Sequence, residues 1–176
     1  QPHCAHHLVM RRGAVPRGRE NDRVTRFENG PGESPGFLLW HTTMRWQRSM
    51  AAALHPLGLT HVQFVLLASA WWMSAGAPPN QVRLAAQAGT DIKMTSEVIA
   101  RLEAKGLVTR EPDPADARAK IVTVTDAGAE LAQRAIAVVE DADAEFFGRA
   151  DTAAVVTVVR TLGDAEQMPA PGPRGS

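Results

Sequence analysis

Apolar residues recur at helical spacing in several separate stretches between residues 37 and 162. Proline and glycine interrupt the pattern at Pro56 and Gly58, at Gly76 and Pro78, and at Gly89, and such residues end helices. The pattern therefore predicts six helices, over residues 37–55, 60–75, 81–87, 91–105, 125–149 and 152–162.

Residues with short polar side chains stand where four of these helices begin. Thr60, Asn80 and Thr125 fit the N-cap position, and Thr90 or Asp91 fits it for the fourth helix. The third helix is expected to bury Val82, Leu84 and Ala85. The fourth is expected to bury a stripe of Met94, Val98, Ile99 and Leu102. Its outer faces would then carry Lys93, Thr95, Ser96, Glu97, Ala100 and Arg101.

Residues 106–128 read GLVTREPDPADARAKIVTVTDAG and predict a β-hairpin. Two strand-like runs, 107–110 and 121–125, enclose a charged tip with Asp113, Asp116 and Arg118. A helix followed by such a hairpin is typical of a winged helix, and the third and fourth helices have helix-turn-helix proportions. The predicted fold is mainly α with a small β-hairpin wing, and winged helices mostly bind DNA.

The two ends of the chain differ from this pattern. Residues 1–35 are rich in proline, glycine and arginine without an apolar period, and we expect a disordered arm. Residues 168–176 are expected to form a disordered tail, which leaves one domain over residues 36–167. The arm holds His3, Cys4, His6 and His7, whose soft-ligand chemistry suits copper or zinc, so a metal-responsive regulator stays an alternative.

Composition narrows the classes of protein further. Of 176 residues, 44% are hydrophobic, which favours a folded domain, and the formal net charge is +0, so a DNA-binding surface must come from local segregation of charge. We expect no membrane span and, from the polar basic start, no signal peptide. The single cysteine fits a reducing cytoplasm.

No phosphate-binding glycine loop, Gly-x-Ser-x-Gly or His-Glu-x-x-His motif occurs, so neither an enzyme nor a cofactor is expected.

The outer face of the fourth helix suits the major groove. Lys93 and Arg101 can neutralise phosphates or donate to guanine, and Thr95 and Ser96 can donate to phosphates or bases. On the wing, Arg118 can reach a minor groove or a flanking phosphate, and Lys120 is assigned to the same surface. Asp116 is expected to fix the tip by pairing with Arg118 or Arg110. The alternatives are a solvated helix face and an ordinary charged turn.

Several motifs in this order resemble the multiple-antibiotic-resistance regulator (MarR) family. They are the start of the second helix (Gly58, Leu59, Thr60, Gln63, Phe64), the run into the wing (Leu102, Glu103, Gly106, Leu107, Val108, Arg110), the wing pair (Asp116, Arg118) and the next helix start (Thr125, Gly128). The resemblance spans residues 37–162. Glu97 departs from it, because many members carry a basic residue there.

The resemblance implies an obligate homodimer that reads a pseudo-palindrome in double-stranded DNA, usually as a repressor released by a small ligand. Residues 60–124 would form the winged helix-turn-helix, and residues 37–55 and 125–165 the dimerisation helices. The apolar helix at 152–162 agrees, although packing on its own domain would also cover it. A winged-helix module that binds other proteins is the alternative function.

The resemblance also implies an effector, often an aromatic acid, between the DNA-binding lobe and the dimer helices. An aromatic ring and its carboxylate would meet aromatic and histidine side chains there. The candidate residues are Trp40, His41, Met44, His61, Phe64 and Trp71. The alternative is that these aromatic residues belong to the core.

Overall fold

The computed structural model describes Phe27, residues 30–113 and residues 116–163, without the side chains of 116–118. The predicted arm up to residue 26 and the predicted tail, 168–176, lie outside the described residues. Contacts divide the chain into two units, Gln1–His41 and Thr42–Ser176. The core described below belongs to the second unit.

The predicted fold class is confirmed, since the described residues form six α-helices and one antiparallel hairpin. A 3₁₀ turn at Gly30–Glu33 precedes the first helix, and another at His55–Leu57 follows it. The elements are α1 (Pro35–Leu54), α2 (His61–Met73), α3 (Gln81–Ala88), α4 (Ile92–Ala104), β1 (Val108–Asp113), β2 (Asp116–Val124), α5 (Asp126–Phe147) and α6 (Thr152–Leu162).

The predicted N-caps are present. Thr60 forms a capping box with Gln63 at the start of α2, in which each side chain accepts from the other residue's backbone N–H. Asn80 caps α3, Asp91 rather than Thr90 caps α4, and Thr125 caps α5. Each cap satisfies a backbone N–H that has no partner inside its helix, so the helix starts lie where the sequence predicts them.

The core of the second unit is built around α2, whose Leu66, Leu67 and Ala70 are completely buried. From α4 it takes Val98, Ile99 and Leu102, as predicted. Two predictions about buried positions are wrong, because Val82 on α3 is 57% exposed and Met94 on α4 is 43% exposed.

The hairpin is longer than predicted, and its strand β2 also contacts the start of α3. Val108 pairs with Val124 at the base of the hairpin, and Asp113 pairs with Asp116 at its tip. The backbone N–H of Val122 donates to the carbonyl of Pro79 at 2.9 Å, and Ile121 forms a bridge with Asn80. The wing is therefore anchored to the segment that leads into the helix-turn-helix.

The base of the hairpin closes against the first turn of α5. Thr125 donates its backbone N–H to the Leu107 carbonyl at 3.1 Å and its hydroxyl to the Gly106 carbonyl at 2.8 Å. A Cβ atom at Gly128 would collide with that Leu107 carbonyl oxygen. Only glycine therefore permits this close approach of backbone to helix.

Among the described helices, none is by itself long and apolar enough to cross a membrane. The bent pair Pro35–Leu57 and His61–Met73 reaches the required length and composition only when its two helices are taken together.

Candidate nucleic-acid interface

The turn between α3 and α4 sets the direction of α4, which is the second, or recognition, helix of the helix-turn-helix. Gly89 ends α3 in the left-handed conformation, with φ +63°, which glycine adopts without steric cost. The hydroxyls of Thr90 and Thr95 are 2.8 Å apart, and the Thr95 hydroxyl donates to the Asp91 carbonyl at 2.9 Å. These bonds tie the turn to the first residues of α4.

The prediction that Thr95 lies on the outer face of α4 is wrong, because its side chain is fully buried. Its hydroxyl bonds inside the helix-turn-helix allow a polar side chain to occupy a core position. Thr95 takes the place in the buried stripe that the sequence pattern assigns to Met94.

The other predicted residues of α4 do lie on its accessible side. Lys93 and Arg101 are exposed and Ser96 is half-buried, while Glu97 is exposed between the two cations. Among the described residues, no ion pair within 4.0 Å joins Glu97 to Arg101. Arg101 is therefore not neutralised by Glu97, and both cations of α4 face solvent.

Arg110 stabilises the wing, but through a different partner from the one predicted. Its Nε donates to Glu103 on α4 at 2.9 Å, and a second guanidinium nitrogen contacts the same carboxylate oxygen. The register places Arg110 opposite Val122 and Asp116 opposite Asp113, which does not favour the predicted pair of Arg110 with Asp116. Arg110 thus joins β1 to the recognition helix.

The Arg110 hydrogen bond holds the pKa of Glu103 below its ordinary value, and Lys120 contributes to the same shift. Lys120 is exposed on β2 and lies near enough to this pair to act on it electrostatically. Glu103 belongs to the sequence motif that leads into the wing, but the linear sequence does not indicate its partner.

At the tip, the backbones of Asp116 and Arg118 belong to β2. Their side chains lie outside the described part of the structure, so their predicted roles stay predictions.

Lys105 is a residue for which the sequence suggested no role. Its Nζ donates to the Gly58 carbonyl at 2.7 Å and to the Gln63 side chain at 3.2 Å. It therefore fastens the end of α4 to the start of α2 and is engaged within the fold. The sequence signal for it is weak, because a lysine in the last turn of a helix is common.

The predicted effector residues belong to both units of the chain. In the first unit, Trp40 and His41 are exposed, and the His41 ring lies 4.3 Å from Phe37. In the second unit, His61 lies between Trp46 at 5.0 Å and Phe64 at 6.4 Å, measured between ring centroids. Met44 is half-buried on α1.

Trp71 is separated from that cluster. It follows His61 by ten residues on α2, which corresponds to about 15 Å along the helix, and its ring neighbour is Trp72. One small ring cannot span the distance from His61 to Trp71, and the predicted effector role of the six residues stays a prediction. Trp46, Phe64 and Trp71 also pack partly buried against the core, as the alternative interpretation expects.

The cluster at His61 also involves α5. The Trp46 indole N–H donates to the Asp143 carboxylate at 2.7 Å. Burial lowers the pKa of His61 below its ordinary value, and the nearby Asp143 opposes that shift. A lowered pKa favours the neutral imidazole, which can hydrogen-bond and make ring contacts but carries no charge.

Groups of three or more His, Cys, Asp or Glu side chains able to hold a metal ion are absent from the described residues. The histidine and cysteine residues of the arm, which raised the metal-responsive alternative, lie outside that part of the chain.

A helix-turn-helix with exposed cations on its second helix, followed by an anchored hairpin, defines a winged-helix DNA-binding regulator. Residues 59–120 match the model of the MarR family. The uncharacterized HTH-type transcriptional regulator YdcH of Bacillus subtilis is 45% identical over 123 residues, which cover 69% of this chain and 84% of YdcH. The chain belongs to the MarR family.

Solved structures agree with this assignment. CouR from Rhodococcus jostii RHA1, bound to p-coumaroyl-CoA, superposes with a TM-score of 0.68 at 28% identity, over 81% of this chain and 98% of CouR. A point mutant of MarR from E. coli, complexed with operator DNA, gives 0.64 at 27% identity, over 74% of this chain and 91% of that one. The protein is thus a transcriptional regulator rather than an enzyme.

The buried position of Thr95 leads to a test by isosteric substitution. Thr95→Val keeps the side-chain volume but removes the hydroxyl that bonds Asp91 and Thr90. We expect the free energy of unfolding, measured with denaturant, to fall by about 1 kcal/mol. Ser96→Ala, one residue further along the helix, should change it by less than about 0.5 kcal/mol.

The opposite pattern would contradict the assignment of Thr95 to the core. If Thr95→Val were as stable as the wild type and yet lost affinity for DNA, the Thr95 hydroxyl would face the nucleic acid.

Proposed function

We propose that the protein is a sequence-specific repressor that binds a pseudo-palindromic operator as a homodimer and is released by a small aromatic effector. The observation that carries the DNA-binding part is the outer face of α4. Lys93, Ser96 and Arg101 are accessible there, on a helix fixed by the buried bonds of Thr95 and by the Arg110–Glu103 pair. A fixed helix with an accessible polar face can enter the major groove.

The distribution of charge supports the same surface. Arg83 on α3, Lys93 and Arg101 on α4 and Lys120 on β2 are all exposed. By contrast, the exposed charged residues of α5 are acidic except for Arg134, namely Asp126, Glu130, Glu140, Asp141 and Glu145. This segregation reconciles a net charge of +0 with binding to a polyanion, provided that α5 lies away from the DNA.

Exposed apolar surface supports a homodimer. The helix α6 buries none of its residues, and Val156, Val158, Val159 and Leu162 are between 45% and 72% exposed. Next to them, a groove of about 370 Å³ lies between α5 and α6 and is lined by Phe147, Val155 and Val159 among others. In the first unit, the start of α1 exposes Phe37, Leu38, Leu39 and Trp40. A second copy would remove this surface from water.

The proposed dimer explains how the protein would repress transcription and how an effector would release it from the operator. A dimer bound at an operator that overlaps a promoter blocks access to that promoter. An effector that favours a different spacing of the two recognition helices lowers the affinity for the operator. CouR, which is similar to this chain over most of its length, is known with bound p-coumaroyl-CoA. The cluster of Trp46, His61 and Phe64 joins α1 to α2, and it is the best-supported effector region here.

The DNA-binding proposal predicts a salt-dependent effect of Lys93. With an operator selected in vitro from random sequence, Lys93→Ala should raise Kd. It should also reduce the slope of log Kd against log salt concentration by about 0.9 for each subunit, because one phosphate contact per subunit is lost. The measurement is fluorescence anisotropy over a series of salt concentrations.

Arg134→Ala is the matched control, because Arg134 is an exposed cation on α5, outside the proposed surface. It should leave Kd and the salt slope unchanged. If wild-type binding to every duplex were absent or insensitive to salt, the DNA-binding proposal would fail. A winged-helix module that binds other proteins, which the exposed Glu97 favours, would then replace it.

The dimer proposal predicts a monomer when a charge is placed on the apolar face of α6. Val159→Asp should give the mass of a monomer, or a clearly weakened dimer, in light scattering at micromolar concentration, because a buried carboxylate without a partner is costly. Thr157→Asp, on the opposite side of the same helix, should leave the dimer intact. A wild-type protein that is monomeric under these conditions contradicts the proposal.

The effector proposal is tested with a panel of aromatic compounds that includes 6-hydroxynicotinic acid, which regulates DNA binding by BpsR of Bordetella bronchiseptica, a protein of similar structure. At least one compound should raise the Kd for the selected operator. His61→Ala should weaken that response about tenfold, because His61 supplies ring contact and a hydrogen bond. The exposed His55 provides the control His55→Ala, which should respond like the wild type. If no compound changed Kd, or if both variants responded alike, effector control at this cluster would be rejected.

A further inference from the structure

The first turn of α4 exposes two large apolar side chains, Ile92 at 56% and Met94 at 43%. The sequence pattern offers no account of them, since it places Met94 in the core. Single exposed apolar residues are ordinary on protein surfaces. Here, however, both belong to the first turn of the recognition helix, and Lys93 stands between them.

Their position on the helix makes them accessible to bases. The buried stripe of α4 runs through Thr95, Val98 and Ile99, and at 100° per residue Ile92 and Met94 lie along its two margins. Residues in the first turn of a recognition helix are the ones that contact base edges in helix-turn-helix proteins. The two side chains would therefore enter the groove on either side of the Lys93 contact.

The chemistry of the major groove offers them a specific partner. Thymine carries a C5 methyl group there, and apolar side chains recognise it, whereas the other groups in the groove are hydrogen-bond donors and acceptors. Lys93, which lies between them, supplies the charge that holds a phosphate beside such a contact, and Arg83 on α3 and Arg101 further along α4 are also exposed. This charge complementarity favours DNA over a protein partner as the occupant of this apolar surface.

We propose that Ile92 and Met94 read thymine methyl groups in the operator and so determine part of its sequence. This inference rests on the proposed DNA-binding function and deepens it. Burying one methyl group against an aliphatic side chain changes an affinity about fourfold. Each symmetric pair of thymines should therefore contribute roughly tenfold or more in a dimer, since both half-sites change together.

The test replaces thymine by uracil, which removes only the methyl group. Duplexes carrying the operator selected in vitro are prepared with uracil at one symmetric pair of thymines at a time, and Kd is measured by anisotropy. For the wild type we expect a loss of roughly tenfold or more at one or two pairs. Ile92→Ala or Met94→Ala should bind the thymine duplex more weakly and show no further loss with uracil at the pair that it reads.

Val82→Ala is the matched control, because Val82 is similarly exposed at 57% but lies on α3. It should keep the full difference between thymine and uracil, and circular dichroism should show that all three variants are folded. A wild type that binds thymine and uracil duplexes equally, or Ile92 and Met94 variants that keep the whole difference, would overturn the inference while DNA binding stands. Absence of binding to any duplex would overturn the proposed function as well.

Discussion

The structure depends on the close contact between the Leu107 carbonyl and the first turn of α5. The carbonyl accepts the backbone N–H of Thr125 at 3.1 Å, and Gly128 leaves it room. Leu107 lies three residues after the end of α4 and directly before β1, and Thr125 follows directly on β2, so this one contact brings α4, the hairpin and α5 together. The recognition helix, the wing and the helix that leads to the proposed dimer interface are thereby positioned from a single point.

Two further contacts fix the position of the wing relative to the recognition helix. Arg110 on β1 pairs with Glu103 on α4, and Val122 on β2 donates to Pro79 before α3. The strand β1 is therefore bound to α4, the second helix of the helix-turn-helix. The strand β2 is bound to the segment just before α3, the first helix. A wing held on both edges moves with the helices, so the groove contacts proposed for α4 and predicted for the wing would be geometrically coupled. Lys105 extends this coupling to α2.

The sequence predicted the helices well, because caps and breakers are local signals. Thr60, Asn80 and Thr125 need only their own following turns to act. The errors concern tertiary contacts. Apolar periodicity places Met94 inside and the polar Thr95 outside, but the Thr95 hydroxyl donates to the Asp91 carbonyl within the turn and is buried. Likewise, the linear sequence does not reveal that Arg110 on β1 pairs with Glu103 on α4.

The two exposed apolar surfaces of this chain differ in a way that points to different partners. On α6, four large aliphatic side chains are exposed on an eleven-residue helix, beside an apolar groove. Such a continuous surface is costly to leave in water and suits a permanent protein interface. On α4, Ile92 and Met94 are separated by Lys93 and accompanied by Arg101. An apolar partner of similar size would have to bury that lysine, whereas a DNA groove offers phosphates to the cation and methyl groups to its neighbours. Both surfaces are apolar, and it is the charge beside the α4 surface that indicates DNA, rather than protein, as its partner.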